Sequence, residues 1–182
     1  MTSGSEFAPE AGRRVRFEAV FAAVYEPLQR YLRRRTDAST ADDVLGDALL
    51  VLWRRLDDIP ADAPLAWAYG VARGCLANHL RSAARQERLV HRLASIPQSA
   101  PNHDDALDDA MGSLPDSDQE LLRLWAWEQL PPREIAVVLG ISANAASIRL
   151  HRAIAKLRTQ LIGKDKSSIG HLGDRQREED PR

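Results

Sequence analysis

Apolar residues recur at three- and four-residue spacing along most of this chain, which is the period of an amphipathic helix. Phe17, Val20, Phe21, Val24, Leu28, Tyr31 and Leu32 predict a helix over 13–35, with Pro27 expected to kink or break it. "ADDVLGDALLVLWRRL" (41–56) predicts a second, with Val44, Leu45, Ala48, Leu49, Leu52 and Trp53 as its apolar stripe. Thr40 followed by Asp43 reads as its capping box, with a shorter acid than usual. "DDIPADAP" (57–64) breaks the periodicity and predicts a loop. A third helix follows from Leu65 to Leu93, its stripe including Trp67, Val71, Leu76 and Leu80. "SIPQSAPNHDDALDDAMGS" is polar, Pro-containing and acidic, and predicts a linker. Helical periodicity resumes at "LPDSDQELLRLWAWEQL", where Ser117 and Glu120 have capping-box spacing. No strand pattern and no internal repeat is visible. The leading "MTSGSEF" is set aside as a vector remnant or disordered start, and the polar stretch 163–182 as a disordered tail.

The most informative stretch is "REIAVVLGISANAASIRLHRAIAKL" (133–157), two short helices folded at a glycine. Pro132 suits the first turn of the first helix, in which Ile135, Val138 and Leu139 face inward. Gly140 suits a left-handed stop, and Ser142 or Asn144 can cap the second helix. This is the helix-turn-helix layout, whose second helix enters the DNA major groove. At about 100° per residue Ala146, Leu150, Ala153 and Leu157 share the core face. Asn144, Ile148, His151, Arg152 and Ala155 fall opposite, flanked by Ser147 and Arg149. Arg152 can donate two hydrogen bonds to guanine and Ile148 can touch a thymine methyl. Arg149 and Lys156 suit phosphates. A structural hairpin with a basic exterior would give the same isolated pattern.

Charge sharpens the picture. The net charge of −1 hides strong segregation. Five arginines between Arg73 and Arg92 oppose one glutamate, and six lysines and arginines between Ile141 and Lys166 oppose one aspartate. Between them, from Ser99 to Asp118, lie six aspartates and no lysine or arginine. Two polyanion-facing surfaces separated by an acidic connection would produce this arrangement. The single cysteine, Cys75, excludes an intrachain disulfide framework and fits a reducing cytoplasm. The five histidines (79, 91, 103, 151, 171) lack ligand spacing, so neither metal nor cofactor is expected. No nucleophile motif, phosphate-cradling glycine loop or paired-carboxylate site supports an enzyme. No apolar run is long enough to span a membrane.

The two halves considered together resemble the extracytoplasmic-function sigma factors of bacterial RNA polymerase, over roughly Phe17 to Leu161. "ADDVLGDALLVLWRRL" looks like that family's polymerase-binding helix, and "AWAYGVARGCLANHLRSAAR" like its promoter-melting helix. "LPDSDQELLRLWAWEQLPPREIAVVLGISANAASIRLHRAIAKLR" looks like its helix-turn-helix domain. The resemblance implies an all-α fold of two small helical domains joined by a flexible acidic linker. Region 2 would occupy 13–95, the linker 96–113, region 4 residues 114–162 and a tail 163–182. It implies that Asp43, Asp47, Leu49 and Trp53 meet core RNA polymerase through its β′ clamp helices, with region 4 on the β flap. It implies that Asp58, Ile59, Trp67, Arg73, Asn78, Arg81 and Arg85 hold the melted non-template strand of the −10 element. Ser147, Ile148, His151 and Arg152 match the family's −35 contacts, and Asn144, Arg149 and Lys156 complete the duplex face. An inhibitory anti-sigma protein is a common further partner.

The chain departs from the family pattern at several of these places. Gly46 stands where Gln is usual, at a helix cost of about 1 kcal/mol relative to Ala. Gly74 stands where Asn is frequent, Ile59 where an aromatic can occur, Asn144 for Gly and Ala145 for Thr. The expected function is an alternative sigma factor. Two other readings remain open at this point: a helix-turn-helix regulator acting without polymerase, and a helical interaction adaptor that binds no DNA.

Overall fold

The computed structural model describes the backbone of residues 7–90 and 105–172, and side chains over 10–86 and 107–162. Among these residues the regular structure is entirely helical. Helices α1 (Phe7–Arg33), α2 (Ala38–Arg54) and α3 (Pro64–Val90) form the N-terminal half, with a 3-10 turn at Leu56–Asp58. Helices α4 (Asp105–Gly112), α5 (Asp116–Ala126), α6 (Pro132–Leu139) and α7 (Ala143–Leu172) form the C-terminal half.

Several local expectations need correction. Helix α1 begins at Phe7, inside the stretch set aside as a remnant, and runs unbroken through Pro27. The hydrogen bond that proline removes would have ended on the carbonyl of Ala23, an exposed residue whose carbonyl water can reach. Helix α2 is capped by Asp37, not Thr40: the Asp37 carboxylate accepts the Thr40 amide at 3.0 Å. That bond holds the Asp37 carboxyl below its ordinary value, because it favours the charged form. Ser117 does not cap α5, which starts after Pro115. There the Gln119 side-chain amide donates back to the Leu114 carbonyl at 2.9 Å. Residues 105–112, expected within the linker, form α4, where Ala110 is fully buried and the helix packs on α7. The backbone of α7 stays helical to Leu172, ten residues into the expected tail.

Each half has an apolar centre. Val24, Leu28, Leu32, Val44, Leu45, Ala48, Leu52 and Leu76 fill the first, and Leu121, Leu124, Ile135, Ala146, Leu150 and Ala153 the second. The two are continuous, since α3 also packs against α6. The buried face of α3 there is Ala66, Ala68, Tyr69, Ala72 and Leu76, while Leu80, expected in the stripe, is half exposed. The helices meet at Gly70, where a Cβ would lie in ordinary van der Waals contact, 3.5 Å from the Val138 carbonyl oxygen and 3.6 Å from its Cα.

Candidate nucleic-acid interface

The turn between α6 and α7 follows from its sequence. Gly140 sits at φ 64° and ψ 38°, a left-handed conformation that strains residues with a Cβ. The Ile141 amide donates to the Ala136 carbonyl at 3.0 Å and the Gly140 amide to that of Val137 at 3.4 Å, the paired bonds of a Schellman stop. Ser142 then caps α7 through its Oγ, which accepts the Ala145 amide at 3.2 Å. Of the two expected caps the structure uses Ser142 and leaves Asn144 exposed. These bonds fix the angle at which α7 leaves α6.

The face of α7 follows the wheel. Ala146, Leu150 and Ala153 are buried and Leu157 is half buried, whereas Asn144, Ser147, Ile148, Arg149, His151 and Arg152 are exposed. Ile148 keeps 43% of its surface in water beside these polar groups. Arg149 and Arg152 make no ion pair among the described residues. Lys156 departs from the expectation of a free phosphate contact: its Nζ lies 2.6 Å from Oδ2 of Asp118 at the start of α5. That half-exposed pair links α7 to α5.

The residues expected at a melted strand divide into groups. Trp67, Gly74, Asn78, Arg81 and Arg85 lie within about 60° of one another on α3 at 100° per residue. Trp67 carries the Arg55 guanidinium over its ring at 5.3 Å, and Arg81 donates to the Asn78 side-chain oxygen at 2.5 Å. Asp58 accepts from Arg55 Nε at 2.9 Å. Arg73 does not join this face. It lines another cleft, of about 430 Å³, with Arg35, Arg123 and Arg149. Ile59 is a correction: at 5% exposure it is a core residue that pins the loop, so it has no surface for a base.

On α2, Asp43 and Asp47 are exposed, but Leu49 is turned half inward against the core. Leu50 is the exposed apolar neighbour, at 54%. Asp43, Asp47, Leu50 and Arg54 fall within about 60° on that helix, a spacing that selects Leu50 over Leu49. Trp53 is committed inside the chain, edge-on to Phe17 at 5.1 Å, with the Arg13 guanidinium 5.3 Å from its ring centre. Arg13 also donates to the Trp53 carbonyl at 2.7 Å, fastening the start of α1 to the end of α2. Cys75, which lines a cleft with Asp47, Leu50 and Arg54, has its thiol pushed up by burial and secondarily by Asp47. No described helix is long and apolar enough to cross a membrane.

Comparisons with known proteins match both halves. The sigma-70 region 2 family matches residues 20–86, and the sigma-70 region 4 family matches residues 104–157, which places α4 with the C-terminal half. The chain is 33% identical over 161 residues to the RNA polymerase sigma-E factor of Streptomyces avermitilis, covering 85% of this chain and 89% of that protein. It is 31% identical over 159 residues to the ECF RNA polymerase sigma factor SigL of Mycobacterium tuberculosis, covering 79% and 89%. The fold is similar to that of the Bartonella quintana sigma factor RpoE, crystallised with the anti-sigma factor NepR. That likeness has a TM-score of 0.60 at 18% identity and covers 80% of this chain and 96% of that one.

Proposed function

The chain belongs to the extracytoplasmic-function sigma factors of bacterial RNA polymerase, and from that premise we propose how its residues divide the work of promoter recognition. It acts as an alternative sigma factor that directs transcription initiation. The exposed face of α7 reads the −35 element as duplex. Arg152 makes the bidentate contact to a guanine edge, Ile148 packs on a thymine methyl, and Asn144, Ser147 and His151 complete the base contacts. Arg149 binds a flanking phosphate. The Trp67–Arg85 face of α3 holds the melted −10 strand, with Trp67 as a stacking platform and Arg81 and Arg85 on its phosphates. The α2 face of Asp43, Asp47 and Leu50 meets core polymerase, the two carboxylates attracting basic groups around one apolar anchor. The protein works in the cytoplasm, where that polymerase is, and an anti-sigma protein restrains it, as NepR is found on the Bartonella quintana factor.

The observation that carries this reading is the α7 face itself. A helix held by a Schellman stop presents an isoleucine 43% exposed beside Arg149 and Arg152, one apolar and two cationic groups side by side on the face that a major groove would receive. The test is the Arg152→Ala variant, with transcription measured from promoters that the wild-type protein uses. Initiation should weaken by roughly 1–3 kcal/mol, and base preference should relax at a single −35 position. Unchanged initiation and preference would refute this assignment of the recognition face.

A further inference from the structure

The seam between the two halves holds the cleft of about 430 Å³ to which Arg73 turns. One wall is a closed ionic cluster. The Arg35 side chain, only 7% exposed, has Nε and Nη2 at 3.2 and 3.3 Å from the two carboxylate oxygens of Glu120, and Nη1 at 3.1 Å from Oε1 of Glu128. Its guanidinium also stacks on the Tyr31 ring at 3.7 Å, so its charge is engaged within the chain. Three further arginines line the cleft from three helices: Arg73 from α3, Arg123 from α5 and Arg149 from α7. Among the described residues, Arg73 and Arg149 have no acidic partner, and Arg123 donates to the neutral side chain of Gln119 at 2.9 Å. Leu76, Leu80, Leu139 and Ile141 give the cleft an apolar lining, and Asp116 and Ser117 complete it at the start of α5. On α3 the lining residues Arg73, Leu76, Ala77 and Leu80 fall within about 100° of one another, roughly a third of a turn from the Trp67–Arg85 face. The cleft is therefore separate from the surface assigned to the melted strand.

We propose that this cleft binds a nucleoside phosphate, its phosphates on Arg73, Arg123 and Arg149 and its base on the apolar lining. Guanidinium groups are the forked donors best matched to phosphate oxygens, and a concave site lined by one sign of charge concentrates anions. The volume lies in the range of small-molecule sites, which combine apolar walls with a few polar groups as this one does. The composition of the lining selects among anions. An inorganic phosphate would leave four apolar side chains without a role and would meet the Asp116 carboxylate. A ribose gives that carboxylate hydroxyls to accept from, as acidic residues do in dinucleotide sites. A DNA duplex carries its phosphates on a convex surface and reaches only the rim of such a cleft. Arg149 stands at that rim, with a −35 phosphate contact assigned to it above. A bound nucleotide therefore withdraws one DNA contact, and by linkage DNA weakens the nucleotide equally. This coupling rests on the −35 reading of α7; the cleft itself does not.

Calorimetric titration of the full-length protein tests this, with ATP, adenosine and inorganic tripolyphosphate as probes. The apolar lining carries no base-reading group, so ATP serves for the class. ATP should bind with a Kd below about 1 mM and at least about tenfold more tightly than adenosine or tripolyphosphate. Arg73→Gln and Arg123→Gln should each weaken ATP about tenfold, the scale of one charge-assisted hydrogen bond lost. Leu80→Ser, at a half-exposed position, should weaken ATP and leave tripolyphosphate unchanged. No ATP binding in that range would overturn the proposal. So would tripolyphosphate binding as tightly as ATP, which marks a basic patch only, or ATP binding that neither arginine variant alters. For the coupling, a labelled duplex carrying a −35 element from a promoter that the protein uses should bind at least about fivefold more weakly at saturating ATP. Unchanged duplex affinity at saturating ATP would overturn the sharing of Arg149. A duplex that fails to bind with or without ATP would refute the α7 reading, and the titration alone would then decide the cleft.

Discussion

Replacing Gly140 by alanine isolates the one backbone conformation on which the angle of the recognition helix depends. Gly140 lies at φ 64°, and a Cβ built there meets no atom within 4 Å. The cost of the substitution is therefore conformational and not steric crowding. Placing an L-residue in the left-handed region costs roughly 1–2 kcal/mol. Reducing the freedom of the unfolded chain returns about 0.4–1 kcal/mol of this. The net loss for Gly140→Ala should be about 1 kcal/mol, and Gly140→Asn should lose less because asparagine tolerates this region. A β-branched residue should lose more than alanine, since it adds the stiff χ1 of its side chain to the same backbone strain. Urea unfolding of the full chain, followed by circular dichroism, gives the order Gly, Asn, Ala, Val in decreasing stability. A Gly140→Ala protein as stable as the wild type would refute the reasoning, because it would mean that the Schellman bonds do not hold this residue left-handed in solution. The same series should lower −35-dependent initiation in the same order, as the exit angle of α7 loosens.

The other predictions concern separate parts of the molecule. Asp47→Arg should reduce co-purification with core polymerase, and Leu50→Arg should reduce it further than Leu49→Arg does relative to its effect on stability; equal co-purification of all three with wild type would remove the α2 face from that contact. Burial, followed by the nearby Glu128 carboxylate, pushes the Tyr69 hydroxyl up to about 12 from 10.0, and Tyr31 is raised further by burial beside Glu120. The folded state thus favours the protonated phenols, so their contribution to stability is complete below pH 10 and is lost as pH rises through about 12. Alkaline unfolding monitored against Tyr69→Phe should show this, the variant losing less stability than wild type between those pH values; parallel curves would contradict it. Lys156→Gln should lower stability modestly, by roughly 0.2–1 kcal/mol, the scale of an exposed ion pair, since its amine is half exposed beside Asp118. A loss confined to DNA binding would instead restore Lys156 to the phosphates.

The periodic parts of this molecule were legible in the sequence because one helix face repeats every few residues. The inward Ala146, Leu150 and Ala153 and the outward Ile148 and Arg152 follow from spacing alone, and the glycine stop at 140 and the serine cap at 142 from local chemistry. What escaped has no local signature. Thr40 and Asp37 both stand where a cap could form, and which one serves depends on where the chain leaves α1. Ile59 sits in a proline-containing loop, so nothing nearby marks it as a core residue. Leu49 and Leu50 are adjacent, and only the register of α2 against the core separates them. The seam was the least accessible: Arg35 reads as a solvated charge in "RRR" and Glu128 as a polar break after two tryptophans, because their pairing spans more than ninety residues. The pairing of Lys156 with Asp118 escaped for the same reason, since Asp118 lies in another helix.

The central claim is tested most directly by in vitro transcription on a genomic fragment library, with purified core polymerase in the presence and absence of this protein. The account predicts start sites that appear only with the protein, sharing one −35 and one −10 sequence at fixed spacing. A folded protein that co-purifies with core polymerase yet adds no start site would contradict it.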